Sequence, residues 1–130
     1  MLAGRFRKAP IIMSDIRRDF IFTFHTDLPW TPSKFAQGIE VKNLGKADGR
    51  AMQLVRFQPG ASFPAHLHTD VEFLFMLEGE VFQNGRKLHA GWSTVAPAGT
   101  WDTDFMSPSG CTFLLMYALS TSERFNTQTS

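Results

Sequence analysis

Residues 60–79 read GASFPAHLHTDVEFLFMLEG, and this stretch carries the pattern that decides the fold. His66 and His68 are separated by one residue, so on a β-strand their imidazoles project from the same face. Glu72 follows four residues after His68 and can return a carboxylate to the same volume. Two imidazoles and a carboxylate suit a divalent ion such as Fe, Mn, Ni, Co or Zn better than Ca or Mg. The stretch therefore predicts a metal site on a short strand.

The composition is that of one globular domain. The chain has 130 residues, of which 43% are hydrophobic and 19% charged, unlike a disordered sequence. Residues 1–18 carry five basic side chains and one acidic one, whereas the remainder carries eight basic and eleven acidic side chains. A folded body with an acidic excess is a poor binder of nucleic acids. The single Cys111 fits a reducing, cytoplasmic compartment, and no apolar run approaches the ~18 residues that cross a membrane.

Short apolar runs separated by Gly and Pro predict an all-β fold. Asn84-Gly85 lies between two such runs and predicts a type I′ hairpin. The predicted strands are 39–44, 51–57, 72–77, 81–83, 87–89, 93–96 and 112–119. Residues 73–77 and 113–119 are apolar on both faces of their strands. We expect one face to line the core and the other to pack against a second chain or the N-terminal arm, and therefore expect a homodimer.

The stretch 60–79 resembles the first motif of the cupin family, G-x5-H-x-H-x3-E-x6-G, at every defined position. A later stretch resembles the second cupin motif, G-x5-P-x-G-x2-H. In that motif Gly91, Pro97 and Gly99 stand at the required spacing, and Asp102 stands in place of the histidine. The resemblance covers residues 38–119 and implies an antiparallel double-stranded β-helix, the RmlC-like jelly-roll barrel. We divide the chain into an N-terminal arm at 1–28, a single cupin domain at 29–120 and a flexible C-terminal tail at 121–130.

Further segments resemble the ChrR-like cupins, which include the cupin domain of zinc-binding anti-sigma factors, and the Fe(II) dioxygenases that cleave acetylacetone. These segments are 30–32, 38–39, 42–44, 56–60 and 107–111. The anti-sigma proteins carry an additional N-terminal helical domain. We expect no such domain in this chain and do not carry the anti-sigma role over.

The departure at Asp102 leaves two ligand sets open. His66, His68, Glu72 and Asp102 form a four-ligand shell, in which two carboxylates favour Fe(II) or Mn(II) over Zn(II). If Asp102 points away, the other three residues form the two-histidine, one-carboxylate face of non-haem Fe(II) oxygenases. Asp104 competes with Asp102, because residues two apart share a strand face.

The resulting hypothesis is a metal-dependent cupin oxygenase, with Fe(II) favoured and Mn, Ni, Co or Zn as alternatives. Its expected substrate is a small diketone- or hydroxyketone-like molecule, and Glu72 is the candidate catalytic residue. The candidate substrate pocket consists of Arg56, Phe75, Trp92 and Trp101. One alternative is a non-catalytic cupin that senses a small molecule or a metal. Another is a metal-assisted isomerase or lyase that needs no O2.

Overall fold

The computed structural model describes residues 17–120 and shows an antiparallel β structure. The strands are β1 (Thr31–Pro32), β2 (Ile39–Ala47), β3 (Arg50–Phe57), β4 (Ser62–Phe63), β5 (His66–Leu67), β6 (Glu72–Gln83), β7 (Arg86–His89), β8 (Ser93–Ala96), β9 (Trp101–Asp102), β10 (Phe105–Met106) and β11 (Cys111–Ala118). A 3-10 turn, His25–Asp27, precedes β1. The predicted tail, most of the predicted arm and the choice between Met1 and Met13 lie outside the described residues. Within the described part, no helix is long and apolar enough to cross a membrane.

The all-β prediction is confirmed, and nine strands form one curled sheet. Its main path runs β1-β2-β3-β11-β6-β10-β4, with β7 and β8 also paired to β6. The remaining two strands, β5 and β9, pair only with each other. Asn84 and Gly85 have φ angles of 49° and 82°, as the predicted type I′ turn between β6 and β7 requires.

Strand β6 is longer than predicted, because the runs 72–77 and 81–83 belong to one continuous strand. Its first part pairs with β11 and β8, and its last part pairs with β7 and β10. Between these parts lies Gly79, with φ +77°. A Cβ atom at Gly79 would collide with the carbonyl oxygen of Gly110 and lie 2.7 Å from the Cα of Cys111. A glycine is therefore required where β6 passes from the part of the sheet that contains β11 and β8 to the part that contains β7 and β10.

Aromatic rings fill the core inside the curled sheet. Phe57 lies at the centre, with ring centroids 5.4 Å from Phe105, 5.7 Å from Phe113 and 6.0 Å from Phe63. The same core includes Met76, which is fully buried. Phenylalanine rings bury a large area and leave no hydroxyl to satisfy, which suits a chain with 13 Phe and one Tyr.

The outer face of β2 and β3 is covered by the segment that enters β1. Lys42 is buried there, and its Nζ donates a hydrogen bond to the backbone carbonyl of His25 at 2.8 Å. Trp30 lies under two cations, with Lys42 Nζ 4.9 Å and Arg56 Cζ 4.2 Å from the ring centroid. Arg56 also donates two hydrogen bonds to Oε1 of Glu40. These contacts hold the entering segment against one edge of the sheet.

We predict that Gly79→Ala destabilises the protein far more than Gly60→Ala. Both glycines have positive φ, so each substitution carries a backbone cost of about 1–2 kcal/mol. A Cβ at Gly60 meets nothing within 4 Å, whereas one at Gly79 must displace the backbone of the loop before β11. Urea unfolding should show a loss of about 3 kcal/mol or more for Gly79→Ala. Equal losses in the two variants would contradict this account of the β6 bend.

Candidate metal centre

The two-stranded ladder of β5 and β9 brings together residues from the two sequence motifs. In its register His66 lies opposite Asp102. Ligand atoms of His66, His68 and Asp102 all lie within 4.8 Å of one another. His68 and Asp102 are buried, and His66 is half-buried. Sequence positions 36 residues apart thus form one cluster of two imidazoles and a carboxylate.

Backbone hydrogen bonds fix His68 in this cluster. Its N–H donates to the carbonyl of Thr100 at 2.8 Å, and its own carbonyl accepts from the N–H of Gly99 at 2.7 Å. Gly99 has φ +94°, a conformation that glycine adopts without steric cost. The glycine of the second motif therefore holds the second histidine of the first motif in place.

A backbone contact orients the ring of His66. His66 Nδ1 lies 2.9 Å from the carbonyl oxygen of Pro64, which can only accept a hydrogen bond. In neutral His66 the proton therefore sits on Nδ1, and Nε2 keeps its lone pair. The rings of His66 and His68 are 4.6 Å apart between centroids. This arrangement leaves Nε2 of His66 available as a ligand.

Two buried polar atoms at this point have no hydrogen-bond partner among the described residues. They are Nε2 of His68 and Oδ1 of Asp102. The other carboxylate oxygen, Oδ2, lies 3.7 Å from His68 Nε2 and accepts a hydrogen bond from the amide of Gln83 at 3.3 Å. Burying such atoms without a partner is costly, and a cation between them would satisfy both. The donor set thus fits a divalent transition metal ion.

Glu72 lies on the other side of His68. Its Oε1 is 3.5 Å from Nδ1 of His68, whereas Asp102 faces Nε2. Glu72 is not part of the three-residue group whose ligand atoms lie within 4.8 Å. Burial raises the pKa of the Glu72 carboxyl, while His68 and His66 lower it and Asp102 raises it further. The structure therefore places Asp102 with the histidines and gives Glu72 a separate contact.

Two residues that sequence reasoning missed hold Asp102 and its loop. Gln83 binds the carboxylate directly, and the side-chain oxygen of Asn84 accepts hydrogen bonds from the backbone N–H groups of Thr103 and Asp104. The Asn84 amide also donates to the carbonyl of Trp101. Asn84 carried only a turn signal, and nothing local to Gln83 indicated this contact. Asp104 itself is exposed. Of the two aspartates, the structure therefore places Asp102 with the histidines.

The predicted pocket residues are not gathered around the histidines. Arg56 lies on the outer face of β3 with Trp30 and Glu40. Phe75 also points outward, because it alternates along β6 with the buried Leu74 and Met76. The structure thus places both side chains away from the histidines, on a face that the sequence could not identify because strand runs apolar on both faces conceal which side is inside.

The two tryptophans have other neighbours. Trp101 is exposed beside the buried Asp102, so the two side chains leave β9 on opposite sides. Trp92 donates a hydrogen bond from Nε1 to His89 Nε2 at 3.2 Å, and Arg86 lies over its ring. Trp92 thus packs with His89 and Arg86, whereas the ring of Trp101 is exposed.

Comparisons with known proteins identify the fold. The family model described as the ChrR cupin-like domain matches residues 18–120, which begins inside the segment assigned above to the arm. An acetylacetone dioxygenase from Acinetobacter johnsonii superposes with a TM-score of 0.66 and 15% identity, covering 78% of this chain and 74% of that chain. An RmlC-like cupin from Shewanella frigidimarina NCIMB 400 gives a TM-score of 0.68 and 20% identity, covering 82% and 96%.

A third structure, Rhodobacter sphaeroides SigE in complex with the anti-sigma ChrR, gives a TM-score of 0.61 and 18% identity. The alignment covers 71% of this chain and 49% of that chain, so this chain spans about half of its length. A sequence comparison with curated proteins gave no match. At these identities the solved structures establish the shared fold, and the RmlC-like jelly-roll prediction is confirmed.

We predict that Asp102→Asn weakens divalent metal binding while Asp104→Asn does not. The two changes are chemically identical, but only Asp102 is buried with the histidines. Protein produced without a histidine tag should bind about one equivalent of Mn(II) or Zn(II), and Asp102→Asn should weaken the affinity by about 100-fold or more. The measurement is elemental analysis with chelator competition, and His66→Ala/His68→Ala serves as the metal-free reference. Equal affinity of both aspartate variants would exclude Asp102 as a ligand.

Proposed function

This chain belongs to the ChrR cupin-like family, and from that premise we propose that it is a metal-dependent oxygenase acting on a small organic substrate. The observation that carries the proposal is the convergence of His66, His68 and Asp102, where two buried atoms find no hydrogen-bond partner within residues 17–120. Two imidazoles and one carboxylate leave open positions on a metal, as non-haem Fe(II) oxygenases require. We favour Fe(II), with Mn, Ni, Co or Zn as alternatives.

In this proposal the metal is held by Nε2 of His66, Nε2 of His68 and the carboxylate of Asp102. The carbonyl oxygen of Pro64 faces Nδ1 of His66, and the carboxylate of Glu72 faces Nδ1 of His68. Both rings therefore direct Nε2 to the ion. Gln83 orients the carboxylate of Asp102 through its amide. Such partners behind the ligands fix ring orientation and strengthen metal binding. When bound, the ion supplies a Lewis acid that polarises a carbonyl or enolate oxygen of the substrate.

Glu72 has two roles in the proposal. Its contact with His68 Nδ1 orients that ring, and its carboxylate accepts a proton from the substrate. Burial raises the pKa of Glu72, which makes its carboxylate a stronger base. A diketone or hydroxyketone offers an acidic C–H or O–H, and loss of this proton gives a chelating enolate. We therefore propose Glu72 as the catalytic residue, outside the group of three metal ligands.

The aromatic core supports the site from inside the barrel. Phe63 meets the ring of His66 edge to face, with centroids 5.9 Å apart, and Phe63 itself packs on Phe57. This wall excludes water on one side of the ligands and strengthens electrostatic interactions there. An apolar wall also suits a small carbonyl compound better than a sugar or a nucleotide.

The reaction class balances without a further reductant. Cleavage of one carbon–carbon bond of a β-diketone by O2 gives a carboxylic acid and a 2-oxoaldehyde. Both oxygen atoms enter the two products, and O2 is the oxidant. The structural similarity to an acetylacetone dioxygenase supports this class, while the substrate itself is part of the proposal.

A second candidate function is a non-catalytic module that senses a metal or a small molecule. It is favoured by a fourth metal-binding side chain beside the group of three, since Oε1 of Glu72 lies 3.5 Å from Nδ1 of His68. Four protein ligands typically close a structural zinc site and leave no exchangeable position. The structural similarity to the complex of SigE with the anti-sigma ChrR agrees with this alternative.

Oxygen uptake tests the oxygenase. Protein loaded anaerobically with Fe(II) and mixed with acetylacetone, followed by a panel of diketones and hydroxyketones, should consume one O2 per substrate. Glu72→Gln should retain the metal but lose activity by about 10²–10⁴-fold, because the proton acceptor is removed. The matched control is Glu78→Gln, an exposed position on the same strand.

Three other results would each contradict the oxygenase proposal. Substrate loss under argon at an unchanged rate would indicate an isomerase or lyase. Tight metal binding without turnover of any compound in the panel would favour the sensing module. Failure to bind any of the five metals with the fold intact would exclude all metal-dependent functions.

A further inference from the structure

The chain uses tyrosine once, although it contains 13 phenylalanines. That residue, Tyr117, lies near the end of β11 and is half-buried. A phenylalanine ring fills apolar space equally well, so a tyrosine at a partly buried position indicates a use for the hydroxyl group. The neighbours of Tyr117 in the sheet indicate what that use is.

Tyr117 lies on the inner face of the curled sheet. Along β11 it continues the alternation of Cys111, Phe113 and Leu115, of which the first two are buried in the core and the third packs against it. The pairing of β11 with β3 runs from Cys111 to Ala118 without a register shift, so this alternation holds along the whole strand. The side chain of Tyr117 therefore leaves β11 on the core side.

Glu72 lies opposite Tyr117 on the neighbouring strand. The register of β11 and β6 pairs these two residues directly. Partners across an antiparallel pair point to the same face, with Cβ atoms about 5 Å apart. Glu72 belongs to the inner face, since it alternates with the buried Leu74 and Met76 and contacts His68. The phenol and the candidate base therefore project side by side from the face of the sheet that contacts the candidate metal centre.

Alanines flank this pair on both sides in the sheet. Tyr117 is also paired with Ala51 of β3, and Glu72 is also paired with Ala96 of β8. Both alanines are half-buried, so other side chains do not cover them completely. A methyl group at each end leaves unfilled the volume that a larger side chain would take. The row therefore combines two polar groups with room for a small molecule.

We propose that Tyr117 is a substrate-binding residue, whose O–H group donates a hydrogen bond to an oxygen of the substrate while Glu72 accepts the substrate's proton. The inference rests on the proposed function and adds to it a residue that recognises the substrate. A β-diketone that loses a proton becomes an enolate, in which the oxygen atoms carry the negative charge. A hydrogen bond to an anion is stronger than one to a neutral group, so Tyr117 stabilises the enolate more than the diketone.

Removal of the hydroxyl group tests the proposal, because Tyr117→Phe keeps the ring and deletes one oxygen atom. Zn(II)-loaded protein is titrated with acetylacetone by calorimetry under argon, which measures binding without turnover, and its metal content is determined before and after. Tyr117→Phe should retain the metal and weaken acetylacetone binding by about 10-fold or more, since a hydrogen bond to a charged group is lost.

The matched control is Thr112→Val, which deletes a hydroxyl group from the same strand. Thr112 lies between the buried Cys111 and Phe113 and therefore projects from the opposite face of β11. This variant should bind acetylacetone as the wild-type chain does. Circular dichroism and thermal unfolding verify that both variants fold.

The single tyrosine also permits a test without a variant. Protein that incorporates fluorotyrosine carries fluorine only at Tyr117, so its fluorine NMR spectrum needs no assignment. The resonance should shift when acetylacetone is added to the Zn(II)-loaded chain, and the shift should saturate at the affinity that calorimetry gives.

Added bulk beside Tyr117 tests the position of the substrate. Ala51→Leu should weaken acetylacetone binding by about 10-fold or more, because the larger side chain fills the space next to the phenol. The control is Ala47→Leu, an exposed position at the end of β2, which should leave binding unchanged.

The outcomes separate this inference from the proposed function. Equal affinity of the wild-type and Tyr117→Phe chains, or a fluorine resonance that stays in place while calorimetry shows binding, would overturn the role of Tyr117 and leave the oxygenase proposal intact. Unchanged binding by Ala51→Leu would place the substrate away from this row and overturn the inference in the same way. If the metal-loaded wild-type chain bound neither acetylacetone nor any other diketone or hydroxyketone of the panel, the proposed substrate class would fail, and the inference with it.

Discussion

The bend of β6 at Gly79 is the constraint on which the remaining structure depends. On one side of this glycine the strand pairs with β11 and β8, and on the other it pairs with β7 and β10. The backbone before β11 passes so close to Gly79 that a side chain cannot be accommodated. This single crossing closes the aromatic core around Phe57 and sets the first residue of the strand, Glu72, beside His68. The glycine at the end of the first cupin motif therefore has a packing role, whereas the histidines of that motif belong to the candidate metal centre.

The metal centre depends in turn on contacts between its two motifs. The ladder of β5 and β9 aligns His66 with Asp102, and the backbone of His68 is bonded on both sides to the segment containing Gly99. An aspartate replaces the histidine of the second motif without disturbing this framework, because its position is fixed by main-chain pairing and by Gln83. In the proposed centre an anionic ligand thus stands where the motif has a neutral one, which favours harder divalent ions.

The sequence predicted those features whose causes are local. Residue spacing indicated the two histidines, the glycines and Asp102, and Asn84-Gly85 indicated a hairpin that the structure contains. It could not show which face of an apolar strand is inside, so Phe75 and Arg56 were expected near the site although both point outward. The separate contact of Glu72 also escaped prediction, because it depends on which nitrogen of His68 faces which carboxylate. These details follow from tertiary pairing, which strand periodicity does not encode.

The ladder of β5 and β9 has a further consequence for how the molecule moves. It contains two residue pairs and belongs to neither layer of the main sheet, whereas β6 and β11 share seven pairs over the core. Segments with few buried contacts open at a lower free energy than the strands that define global unfolding. We therefore expect the β5–β9 ladder, which carries candidate ligands, to unfold locally while the aromatic core stays folded. Such local opening would expose the histidines to small molecules without a dedicated lid.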